Sequence, residues 1–97
     1  MTTTVEKEIS FLLRGRLDIM ANILNETVNG AKKTRIMYRC NLSFKQLQAY
    51  LKYLKKKGFL EVVNTKEKNR ETTVYQTTKK GLAFLEAYQN LKELIST

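Results

Sequence analysis

Cys40-Asn41-Leu42-Ser43-Phe44-Lys45-Gln46-Leu47 is the stretch on which the reading of this chain turns. Asparagine tolerates the left-handed conformation that ends a helix, so Asn41 marks a C-terminus, and Leu42 can plug the corner that follows. Ser43 with Gln46 three residues later has the spacing of a capping box, in which each side chain satisfies the other's backbone N–H at the start of a helix. The sequence therefore predicts two helices meeting at a tight turn.

Beyond the turn, residues placed at 100° intervals from Phe44 to Lys57 divide into two faces. Phe44, Leu47, Tyr50, Leu51 and Leu54 share one side, while Lys45, Ala49, Lys52 and Lys56 cluster opposite, flanked by Gln48 and Tyr53. One face is expected in the core and the other is a basic, hydrogen-bonding stripe; Gly58 ends the helix. Before the turn, Thr34 is expected to cap a two-turn helix through Cys40, with Ile36, Met37 and Cys40 inward and Arg35 and Arg39 outward. Further upstream, Leu17, Met20, Ile23, Leu24 and Val28 recur at helical spacing between Arg16 and Asn29, where Asn29-Gly30 is a stop signal. Thr3 or Thr4 is expected to cap another short helix, reaching Arg14 and broken by Gly15.

Downstream, Leu60–Val63 and Thr73–Thr77 are β-rich, and the polar residues 64–72 between them predict a hairpin with a long tip. A last helix is expected from Thr78 to Ile95. Leu82 and Leu85 would face the domain, and Phe84, Tyr88, Leu91 and Ile95, spaced four, three and four, would form a dimer seam.

Charge locates the working part of this chain. Eighteen Lys and Arg stand against nine Asp and Glu, a net charge of +9 on 97 residues. Residues 31–80 alone hold fourteen basic and three acidic side chains, a net of +11, while both ends are near neutral. Solubility would not need such concentration, and a polyanion such as nucleic acid would. Cys40 is the single cysteine, so no internal disulfide is available and an intracellular, cytoplasmic setting is expected. Residues 1–30 show neither a long uncharged run nor a signal-peptide pattern.

Other chemistries lack their parts. With no histidine and one cysteine no metal site is expected, and Cys40 reads as a small core residue. Asp18 is the sole aspartate, the glutamates are scattered and the four glycines isolated, so no catalytic set, cofactor or small-molecule site is indicated. Phe44, Leu47, Leu51 and Leu54 are needed to cover neighbouring elements, which argues against the helix lying on a membrane.

Helix, short helix, tight turn, basic amphipathic helix, hairpin, helix is the element order of a winged helix-turn-helix: a mostly α fold with a small β-hairpin (α+β) and a C-terminal dimerisation helix. In that frame helix 43–57 would enter the major groove of double-stranded DNA. Lys45, Gln48, Lys52, Tyr53 and Lys56 would face phosphates and base edges, Gln48 suiting adenine. The helix start at Ser43 would accept a phosphate, Arg35 and Arg39 would contribute from the preceding helix, and Lys66, Lys68 and Arg70 on wing 64–72 would reach the backbone or minor groove.

The run Lys33–Leu47, with Tyr50-Leu51 and Lys57-Gly58 after it, closely resembles a family of small archaeal winged-helix DNA-binding proteins, as does Tyr75–Leu82 at the strand-to-helix junction. Cys40 stands where that family commonly has Ala, Phe44 where it has Tyr, and Thr77 where it has an apolar residue. The resemblance, over about residues 16–90, implies a transcription regulator or a dimeric chromatin protein joined through the last helix. The expected organisation is an N-terminal extension over 1–15, a winged-helix domain over 16–81 and a dimerisation helix over 82–97. The alternatives to a regulator are an architectural chromatin protein and a protein-interaction module on the same fold.

Overall fold

The structure is a computed structural model that describes residues 13–96; the helix expected between Thr3 and Arg14 lies almost wholly outside them. A π-helical turn, Leu13–Leu17, leads into α1 (Asp18–Glu26), with the helical path broken at Gly15 (φ −83°, ψ −120°). α1 turns Met20, Ile23 and Leu24 into the main core and Ala21 towards the last helix. The chain leaves it through Thr27 and reverses at Gly30, whose φ of +86° only glycine adopts without strain.

Ala31 then pairs with Tyr75 as an isolated antiparallel bridge, each N–H donating to the other's carbonyl at 2.9 and 2.8 Å. This bridge decides where α2 (Lys33–Arg39) begins. It holds the chain extended as far as Lys32 (ψ 154°), which becomes the N-cap without side-chain help, and Thr34, expected at the cap, falls inside the first turn. At the other end Asn41 has a φ of +54°, its N–H donates to Tyr38 O at 3.3 Å and that of Leu42 to Met37 O at 3.1 Å, a Schellman closure. Leu42 packs on the core at the corner, as its position in the sequence predicts.

α3 (Phe44–Lys56) opens with the capping box: Gln46 N donates to Ser43 Oγ at 3.1 Å and Ser43 N to Gln46 Oε1 at 3.0 Å. Leu47, Leu51 and Leu54 are buried and Tyr50 half-buried beside them. Phe44, expected with them, is 59% exposed. It occupies the first helical position, on the edge of the apolar face, where the neighbouring elements leave most of it uncovered. A second Schellman closure ends the helix, with Gly58 N to Lys55 O and Phe59 N to Leu54 O both at 3.0 Å and Gly58 at φ +81°.

β1 (Leu60–Glu67) and β2 (Arg70–Thr77) pair antiparallel from Leu60↔Thr77 to Glu67↔Arg70. The expected long tip is strand almost to its end. Lys68 and Asn69, both left-handed (φ +51° and +66°), form a two-residue turn of the kind that matches strand twist. Alternation fades after Val63 because the ribbon leaves the core there and has no face to bury. Cross-strand contacts such as Thr73 Oγ1 to Asn64 Oδ1, 3.2 Å, accompany the pairing instead.

α4 (Lys79–Ser96) is capped by Thr78, whose hydroxyl accepts from Gly81 N at 3.1 Å and donates to Gly58 O at 2.6 Å. Phe84 packs on Phe59 (centroids 5.2 Å apart), and Tyr88 is buried against Ala21 with its hydroxyl donating to Asp18 Oδ1 at 2.7 Å. Burial, then that hydrogen bond and the carboxylate charge, push the Tyr88 phenol up to about 12. Leu82, expected to face the domain, points instead to solvent, because Gly81, one residue earlier, makes the close approach to the hairpin. Among the described residues the fold is thus four α-helices and one antiparallel hairpin around a core of Met20, Ile23, Leu24, Ala31, Ile36, Leu47, Leu51, Leu54 and Leu60.

Candidate nucleic-acid interface

The free face of α3 is built by its buried one. With Leu47, Leu51 and Leu54 fixed inward, Lys45, Gln48, Ala49, Lys52, Tyr53 and Lys56 are all exposed. Residues 43–57 carry five lysines and no carboxylate. Lys57 Nζ stands 5.7 Å from the centroid of Tyr53, which helps hold that ring at the edge of the stripe.

A groove between α3 and the hairpin, lined by Gln48, Leu51, Lys52, Lys55, Lys56 and Tyr75, adds two residues that sequence reasoning did not single out. Lys55 belongs to the run Lys55-Lys56-Lys57, which by itself says only that cations suit a helix C-terminus. Tyr75 enters because its strand bridges to Ala31, a pairing no local pattern announces.

The other expected residues differ in how free they are. Arg35 and Arg39 are exposed, but both lean on one carboxylate of α1, Arg35 Nε lying 3.9 Å from Glu26 Oε2 and Arg39 Nε 3.5 Å from Glu26 Oε1. Lys66, Lys68 and Arg70 are exposed at the far end of the hairpin, about 20 Å from Leu60 at the usual rise per strand residue. Their surroundings are not purely basic: the register sets Lys66 opposite Glu71 and Arg70 opposite Glu67, and Glu67 also meets Lys32 at 3.5 Å. Three acids and three bases leave residues 60–77 neutral. Over the wing itself, residues 64–72, three bases stand against two acids, a net of +1, compared with +5 over residues 43–57.

Of the residues expected at a dimer seam, Phe84 and Tyr88 belong to the protomer's own packing, and Ile95 is half-buried on the same cluster. Leu91, 40% exposed, is open, and beside it lies Leu94, 75% exposed, which sequence reasoning did not single out. Cys40 is half-buried; burial, and secondarily Glu26, raise its thiol pKa against the pull of Arg39, so it stays protonated. Among the described residues no helix is long and apolar enough to cross a membrane, and no cluster of His, Cys, Asp or Glu is arranged to hold a metal.

The profile of one family, described as winged helix-turn-helix, matches residues 13–96. Among solved structures, the chain is similar to Sso10a-2, a DNA-binding protein from Sulfolobus solfataricus, with a TM-score of 0.66 and 26% identity over 82% of this chain and 80% of that one. It is similar in fold to the PcaV transcriptional regulator of Streptomyces coelicolor (TM-score 0.68, 18% identity, 79% of this chain and 55% of that one). FabT of Streptococcus pneumoniae, solved in complex with DNA, shares the fold too (TM-score 0.67, 17% identity, 97% and 70%). No curated protein sequence matches the chain.

Proposed function

The chain belongs to the winged helix-turn-helix family, and on that premise we propose that it is a homodimeric transcription regulator that binds double-stranded DNA and has no catalytic role. The observation that carries this is the α3 surface: lysines and a glutamine on the free face of the helix that follows the turn, with no carboxylate among them. In this reading helix 43–57 lies in the major groove, where Gln48 has the two-point geometry for adenine and Lys45 suits a guanine edge or a phosphate. Lys52, Tyr53 and Lys56 contact the flanking backbone, and at the helix start the Ser43 hydroxyl and the N–H groups that follow it donate to a phosphate. The wing, residues 64–72, lies along the backbone or minor groove with Lys66, Lys68 and Arg70. Arg35 and Arg39 contribute by exchanging Glu26 for phosphate. The similarity to Sso10a-2 supports a DNA partner, and such a partner implies an intracellular protein. Residues 1–15 are an extension to the winged-helix body over 16–81, and the end of the 82–97 segment carries the dimer contact.

The test is a duplex-binding titration across a salt series. About four phosphate contacts per protomer would give a slope of log affinity against log salt of about −7 for the dimer, because each neutralised phosphate releases counterions. Changing Lys45, Lys52 and Lys56 to Gln should flatten it by about one unit for each phosphate no longer neutralised. A flat response from the unaltered chain would sink the DNA-binding reading. Selection from random duplexes separates a regulator, which enriches a motif, from an architectural protein, which coats all sequences alike.

A further inference from the structure

We propose that Phe44 reads thymine, packing its ring on the 5-methyl group in the major groove beside the adenine that Gln48 would recognise; this rests on the DNA-binding reading above. Phe44 begins α3, and the first residues of the second helix of a helix-turn-helix are the ones that approach base edges. Its ring is 59% exposed, although an apolar residue here could have joined Leu47 and Leu51 in the core. Lys33 Nζ lies 5.5 Å from the ring centroid, which steadies the side chain and puts a cation beside it where a phosphate would pass.

Chemistry narrows what such a ring can recognise. Phenylalanine has neither donor nor acceptor, so it cannot bond a phosphate or the polar edge of a base. The thymine methyl is the one apolar group that base pairs present in the major groove. Gln48 follows Phe44 by four residues, one turn along the helix and about 40° around it, so amide and ring are neighbours on the helix surface, Gln48 at the hairpin groove and Phe44 on the side of Lys33. An amide that pairs with adenine and a ring that covers a neighbouring methyl would together select A·T-containing steps.

Uracil substitution tests this. A duplex recovered by selection with the unaltered chain is compared with the same duplex carrying deoxyuridine for every thymidine, which removes the methyl and leaves the pairing intact. The unaltered chain should lose about fourfold in affinity for each methyl covered, the size expected for burying one such group. Phe44→Ala should lose a similar factor on the thymine duplex and no more on the uracil duplex. Phe44→Leu, which keeps an apolar side chain, should retain part of the sensitivity. An unaltered chain indifferent to the methyl overturns the proposal, and so does a Phe44→Ala variant as sensitive as its parent, because another group such as Ala49 would then cover the methyl. Circular dichroism confirms that the variants are folded. A chain that binds no duplex fails earlier, in the salt titration, and takes the DNA-binding reading with it.

Discussion

Thr27 and Thr77 are the buried polar side chains among the described residues, with their hydroxyl oxygens 2.8 Å apart. Thr77 Oγ1 donates to Leu24 O at 2.6 Å, and Thr27 Oγ1 also reaches Ile23 O at 2.9 Å and Leu24 O at 3.2 Å, so two protons are shared among four contacts at the end of α1. The pair ties the first helix to the last strand across fifty residues. Thr77→Val and Thr27→Val each remove the contact between the two hydroxyls but leave the remaining one a carbonyl to donate to, so each should cost about 1 kcal/mol, the usual net worth of an internal hydrogen bond. The double replacement removes both polar groups and should cost clearly less than the two singles added. Urea unfolding of the three variants measures this, and simple additivity would show that the hydroxyls act independently. From sequence Thr77 read only as a polar residue where an apolar one is usual, because its partner lies on a distant element. Phe44 misled for a related reason: helical spacing gives the direction of a side chain but not whether another element arrives to cover it.

Elements were most legible where a few adjacent residues settle the matter. Asn41, Ser43 with Gln46, and Gly58 act on their own turns, and each does what its local chemistry predicts. Ser43→Ala should therefore destabilise the fold by about 1 kcal/mol through loss of the cap. The same change should weaken duplex binding beyond what a thermal melt accounts for, since the proposed phosphate site uses the same helix start; unchanged affinity in the folded variant would remove Ser43 from the interface. Elements whose limits depend on distant pairing were less legible. The start of α2 follows from the Ala31–Tyr75 bridge, which overrides the capping preference of Thr34. The length of the wing follows from register set at Leu60↔Thr77 and closed by Lys68-Asn69, with nothing apolar along its outer half to announce it. On the interface itself, helical periodicity found the exposed stripe of α3. It did not show how closely acids offset the wing's bases, Glu71 standing opposite Lys66 and Glu67 opposite Arg70 in the register.

At the scale of the molecule, apolar surface left near the end of α4 is what a second copy would cover. Leu91→Glu with Leu94→Glu should give a folded monomer by sedimentation, whereas trimming Phe84 should lower the melting temperature because that ring packs within its own protomer. A double variant that still sediments as a dimer would place the seam elsewhere. The junction between α3 and α4 matters to such an assembly. Lys80 Nζ donates to Lys57 O at 2.8 Å, Thr78 joins Gly58 O, and Gly81 sits so close to the Phe59 carbonyl that a methyl there would collide with it. α3 and α4 are consequently welded end to end, and in the proposed dimer they would behave like the two arms of a pair of calipers. The gap between the tips is set at the pivot. A small change in the angle at which two copies of α4 cross would be magnified into a change in the spacing of the two reading helices, so such a protein would measure the distance between half-sites as much as it reads their letters.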